Sequence, residues 1–143
     1  MSAAKELLTE SKIFVTVHAR MRHNSTGIIM KAGSTYRVSV DDSEKWRDGK
    51  ISCNANGWST DGVRPPMHWI IKKTERWRLV SDADWFMLAG TYARHRDQVF
   101  AIGSHSEFIA IHDDELLLYA NDLPWMFWNN RGNLRVSIEH LTS

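Results

Sequence analysis

The chain carries a single cysteine, Cys53, among 143 residues. One cysteine excludes an internal disulfide and any multi-cysteine zinc or iron–sulfur site. A catalytic thiol would need a dedicated histidine partner, and none of the seven histidines pairs visibly with Cys53 or shows metal-ligand spacing. A surplus of one charge is also missing. The formal net charge is +1, whereas nucleic-acid binding predicts a strong basic excess. Lys72, Lys73, Arg76 and Arg78 form a local basic cluster with Glu75 inside it, which reads as a solvated face. No apolar run is long enough to span a bilayer. Met1 to Ser11 holds Lys5, Glu6 and Glu10 and lacks the apolar core of a signal peptide. We therefore expect a cytoplasmic chain with no membrane insertion, with release by a route needing no N-terminal signal left open. There is no glycine-rich phosphate loop and no Gly-x-Ser-x-Gly elbow.

What is present points to strands. Seven tryptophans are several times the usual share; aromatic residues favour strands and also stack on sugars. Ile13–Val17 is dense in β-branched residues, and Tyr36–Val40 and Leu134–Ile138 alternate apolar with polar, the pattern of half-buried strands. Gly27–Met30, Lys50–Cys53, Asp84–Tyr92, Val99–Gly103, Glu107–Ile111 and Glu115–Ala120 add further short apolar runs. Turn chemistry separates them, as at Ala32-Gly33-Ser34, Asp48-Gly49 and Arg131-Gly132-Asn133. About eight short strands so spaced predict an all-β fold, a small antiparallel, jelly-roll-like β-sandwich. A chain of this length buries roughly 68–70% of its unfolded surface without staples. We read 1–143 as a single domain, with an N-terminal helical or frayed turn over Ser2–Ser11 and a long inserted loop at about 59–83.

The segment Tyr119 to Ile138, YANDLPWMFWNNRGNLRVSI, runs strand, loop, strand. Its loop concentrates hard oxygen donors: Asn121, Asp122, Asn129 and Asn130. Calcium takes six to eight oxygens from carboxylates, amides and backbone carbonyls. The loop has no Cys or His, so it suits zinc or copper poorly. An Asx-rich turn whose side chains cap the backbone is the other reading of the same residues.

The string Asn121, Asp122, Leu123, Pro124, Met126, Asn129, Asn130 and Gly132 resembles, at matching spacing and without a gap, the calcium and sugar loop of the PA-IL-like galactophilic lectins of bacteria. Fainter similarity runs through Gly27 to Val40, Lys45-Trp46 and Trp85 to Ile111. The resemblance implies that Asp122, Asn129 and Asn130 hold Ca²⁺ through side chains and Met126 through its carbonyl. It implies a further donor from the loop before Lys45-Trp46, at Val40 or Asp41. It also implies a galactose-like sugar on the ion, hydrogen-bonded by Asp122, Asn129 and the Leu123 N–H, with Trp46 and Asp48 at the part of the pocket that selects the sugar. It implies a dimer or tetramer.

The chain departs from that family where its lectins carry His-Pro-x-Gln. Here the loop is Trp46-Arg47-Asp48-Gly49, so the metal half of the site matches and the half that reads the sugar does not. We expect a carbohydrate-binding protein and no catalysis. The alternative is a β-sandwich interaction module of the same fold that has lost or changed its sugar. A glycosidase would need two carboxylates on one cleft, and Asp48 with Asp122 is the pair to consider. Asp113-Asp114-Glu115 reads as an acidic turn.

Overall fold

The computed structural model describes residues 4–49, 51–58, 78, 84–122 and 127–142. The inserted loop, apart from residue 78, and Leu123 and Met126 lie outside the described residues.

Eleven strands are described. They are β1 (Lys5–Glu6), β2 (Lys12–His18), β3 (Asn24–Met30), β4 (Thr35–Val40), β5 (Trp46–Asp48), β6 (Ile51–Cys53), β7 (Leu88–Tyr92), β8 (His95–Ala101), β9 (His105–Ile109), β10 (Asp114–Ala120) and β11 (Asn130–Thr142). A 3₁₀ turn, Phe127–Asn129, leads into β11. One sheet has the order β1-β3-β10-β7-β8, and the second β6-β5-β11-β4-β9 with β2 also on β11. All pairs are antiparallel except β1 on β3. The all-β sandwich is as the turn spacing predicts.

The alternation explains the packing. Along β4, Tyr36, Val38 and Val40 point inward and are buried, with partly exposed residues between them. From β10, Leu116, Leu118 and Ala120 enter the core between the sheets, where they meet Leu134, Val136 and Ile138 of β11. Strand β10 lies between β3 and β7 and is buried on both faces. Its alternate residue Tyr119 packs with Ala89 and Phe127 in a separate cluster.

Three local readings are corrected. The N-terminal turn is not helical: Lys5 and Glu6 pair with Ile28 and Ile29, because a neighbouring strand supplies backbone partners that ten residues of helix-forming composition do not. Trp46–Asp48 is a strand, not a loop; it pairs with Asn130–Gly132 on one side and with Ile51–Cys53 on the other. Arg131-Gly132-Asn133 is not a turn but part of the long β11. Gly132 takes a φ of +87°, and a Cβ there would lie 3.2 Å from the Trp46 Cα. A left-handed residue without a side chain lets β11 pass Trp46 closely.

Candidate functional site

One end of the sandwich gathers most of the described candidate residues. Asn129 closes the 3₁₀ turn and Asn130 opens β11. Asn130 is fully buried, and its Nδ2 donates to the Ala19 carbonyl at 2.9 Å. Ala19 is tied in turn to β11 by its N–H on the Gly132 carbonyl, 3.0 Å. Asn24 joins this end to β10, accepting from the His18 N–H at 2.8 Å and donating to the Leu118 carbonyl at 3.0 Å. Asp122 follows β10 and is 3% exposed.

The amide oxygens of Asn129 and Asn130 are both buried without a hydrogen-bond partner. A buried acceptor left unsatisfied costs about 1–3 kcal/mol, so two in sequence call for an electropositive partner. They are neutral, hard oxygens, and Asp48 lies across the ladder from Asn130; oxygens of this kind suit a hard cation and not a soft one. The residues present therefore fit calcium.

Asn121 does a different job. It is fully buried; its N–H donates to the Met87 carbonyl (3.0 Å), its carbonyl accepts from the Phe86 N–H (2.7 Å) and its Nδ2 donates to the Asp84 carbonyl (3.0 Å). These bonds hold Phe86, whose φ of 61° is uncommon for a bulky residue.

Asp48 lies directly across the ladder from Asn130, and the Gly49 N–H donates to the Asn129 carbonyl at 3.3 Å. The Asp48 carboxylate accepts from Trp58 Nε1 at 3.2 Å. Trp58 stacks on Trp85 with ring centroids 5.8 Å apart and planes 15° apart, and the Arg78 guanidinium lies 4.9 Å from the Trp85 ring centre. Sequence reasoning missed this tryptophan pair, although the enrichment in tryptophan was its signal. It also gave no role to Trp128, which adjoins Asn129 and is 65% exposed.

Burial pushes the Asp48 carboxyl up to about 6, with the Trp58 hydrogen bond acting in the opposite sense. The folded chain thus holds this proton more tightly than the unfolded chain, whose reference value is 3.8. The stability contributed by the protonated form is full below that lower value and is lost as pH rises through about 6, a loss of at most about 3 kcal/mol and less where water reaches the carboxyl. In chelator-treated protein, urea midpoints measured between pH 4 and pH 7 are expected to fall with pH for the native chain, and Asp48→Asn is expected to flatten most of that slope.

Two assigned residues are placed elsewhere. Asp41 is exposed in the turn after β4, where its Oδ1 accepts from the Ser43 N–H (2.8 Å) and hydroxyl (2.7 Å). Val40 lies beside Val136, six strand residues or about 20 Å along β11 from Asn130. Trp46 is fully buried, edge-on to Phe86 at 5.6 Å between centroids. Its indole is core and not a sugar platform, because Trp46 pairs with Gly132 and that parity turns it inward.

Outside this end, the acidic turn is structural. The Asp114 carboxylate accepts from the Arg94 N–H (2.6 Å) and the Glu115 N–H (2.8 Å) and lies 3.1 Å from His95 Nδ1. Burial pushes the Cys53 thiol up to about 12, with the Asp48 charge adding to the rise, which disfavours the thiolate at neutral pH.

Compared with solved structures, the chain superposes on one described as the EclA N-terminal domain, a PllA-like lectin, with a TM-score of 0.60. The match covers 92% of this chain and 99% of that one at 16% identity. The chain has the fold of a PllA-like lectin domain. This agrees with the resemblance carried by Asn121 to Gly132. No family model matches the chain, and no curated protein matches it by sequence. Among the described residues, no helix is long and apolar enough to cross a membrane.

Proposed function

We propose that this PllA-like lectin fold binds carbohydrate through a calcium ion held at the Asp122, Asn129 and Asn130 end of the sandwich. The observation that carries the reading is the pair of buried, unpartnered amide oxygens of Asn129 and Asn130. The Asp122 carboxylate supplies the negative charge, and the Met126 carbonyl is the further donor that the resemblance implies. Calcium would supply a centre whose remaining positions accept sugar hydroxyls.

The chain's own residues then select the sugar. Asp48, across from Asn130, accepts a hydrogen bond from a sugar hydroxyl, as does Asp122; Asn129 donates one through Nδ2, and the Leu123 N–H is the further donor that the resemblance implies. Trp128, exposed next to Asn129, offers an aromatic face to the apolar side of a pyranose. Asp48 and Trp128 replace the His and Gln of the galactophilic pattern, so the proposed ligand is a galactose-like hexose contacted by a carboxylate and an indole. Binding of this kind needs no catalytic group. A dimer or tetramer would strengthen it by presenting several such sites together.

A glycan array probed in millimolar calcium and again in chelator tests the reading. Spots that bind only with calcium are expected, and binding to none in calcium would contradict it.

A further inference from the structure

A pocket of about 270 Å³ is lined by Arg22, His23, Arg96, Val99 and Tyr119. Tyr119 alternates with Leu118 and Ala120 and so turns away from the core between the sheets, toward the cluster it forms with Ala89 and Phe127. Arg22 and His23 come from the chain entering β3, and Arg96 and Val99 from β8. These residues are far apart in sequence, and the sheet order brings them together.

The chemistry of the lining is one-sided. Its charged members are two arginines, with no carboxylate among them. Arg96 Nε is occupied by the Ala93 carbonyl at 3.0 Å, which steadies the guanidinium and leaves its outer nitrogens for a ligand. Both arginine charges are felt inside: His23 is held below its usual proton affinity by burial first, then by Arg96 and Arg22. Tyr119 is fully buried, with its ring edge-on to His23 at 5.4 Å. Its hydroxyl is buried without a hydrogen-bond partner. An unpartnered buried hydroxyl is destabilising, and this one belongs to a residue lining a pocket whose neighbours are cationic.

We propose that this pocket binds a tetrahedral oxyanion, a phosphate or sulfate group, clamped by Arg22 and Arg96 with the Tyr119 hydroxyl donating to one of its oxygens. Two guanidinium groups match the charge of free sulfate, of hydrogen phosphate and of a phosphate monoester, and present paired donors to tetrahedral oxygens; a sulfate monoester offers the same oxygens with a single charge. A monocarboxylate offers half the charge. The group arrives either as a free ion or as a substituent on a larger molecule such as a hexose. The proposal is independent of the cation site, since none of the residues is shared.

Calorimetry on the full chain, in chelator and at fixed ionic strength, tests it. The probes are inorganic phosphate, inorganic sulfate, acetate, a hexose 6-phosphate and a hexose 6-sulfate. Saturable binding of one phosphate or sulfate per chain is expected, with acetate about tenfold weaker or more. Tighter binding of the hexose esters than of the free ions would assign the site to a substituted sugar, and equal binding would assign it to the free ion. Arg22→Ala and Arg96→Ala, both at exposed positions, should each weaken binding about tenfold. Tyr119→Phe keeps the ring and should weaken binding severalfold, with an anion-free Tm equal to or above that of the native chain. No saturable binding, acetate as tight as sulfate, or unchanged affinity in the double arginine variant would overturn the proposal. A lower anion-free Tm for Tyr119→Phe would overturn the role of its hydroxyl.

Discussion

Adding millimolar calcium to the chelator-treated chain is expected to raise its Tm by about 5–10 °C, and Asp122→Asn is expected to abolish the rise. The size follows from linkage. A ligand at a hundred times its dissociation constant stabilises the folded state by about 2.7 kcal/mol, and each kcal/mol moves the Tm of a domain near this size by about 2–4 °C. Asn for Asp keeps the shape and an oxygen but removes the charge that offsets the ion. Asn130→Ala should also lose the calcium response, and should lower the calcium-free Tm as well, because it deletes the bond from Asn130 Nδ2 to the Ala19 carbonyl. Thermal melts of the three proteins, with and without calcium, check this. A calcium response that survives Asp122→Asn would move the ion elsewhere.

The second large effect separates two tryptophans. Trp46 is fully buried and Trp128 is 65% exposed. Trp46→Ala empties a core site and is expected to destabilise by about 3–5 kcal/mol, lowering the Tm by about 6–20 °C. Trp128→Ala removes little packing and should change stability by no more than about 0.5 kcal/mol, while cutting sugar binding. Urea unfolding together with sugar titration of both variants reads the contrast. If Trp46→Ala instead spares stability and abolishes binding, the indole is a sugar platform and the core assignment is wrong.

The contrast also shows what a sequence can and cannot display. The all-β class was legible because strand alternation and turn residues are local, as along Tyr36 to Val40. Asp122, Asn129 and Asn130 were legible as a donor set because they are close together in the chain. Trp46 was not, because an aromatic residue suits a core and a sugar face equally. Only its pairing with Gly132 decides which way it points. Where Asp41 falls relative to Asn130 is likewise hidden in the sequence. Its distance from Asn130 depends on how far along β11 the β4 register falls, and no property of Asp41 itself encodes that. The pocket of Arg22, His23, Arg96 and Tyr119 left no trace in the sequence at all, since three separate strand regions build it. Asp48 was placed near the site by its position after Trp46. Its raised proton affinity comes from burial, which becomes visible only when the strands close over it.

In the proposed site the paired amide oxygens of Asn129 and Asn130 hold the calcium. The most direct test is a calcium titration of the chelator-treated chain followed by NMR at the Asn129 and Asn130 side-chain amides. A saturable shift of both is expected, complete at one ion per chain and absent in Asp122→Asn. Side-chain amide signals that stay still through millimolar calcium would contradict it.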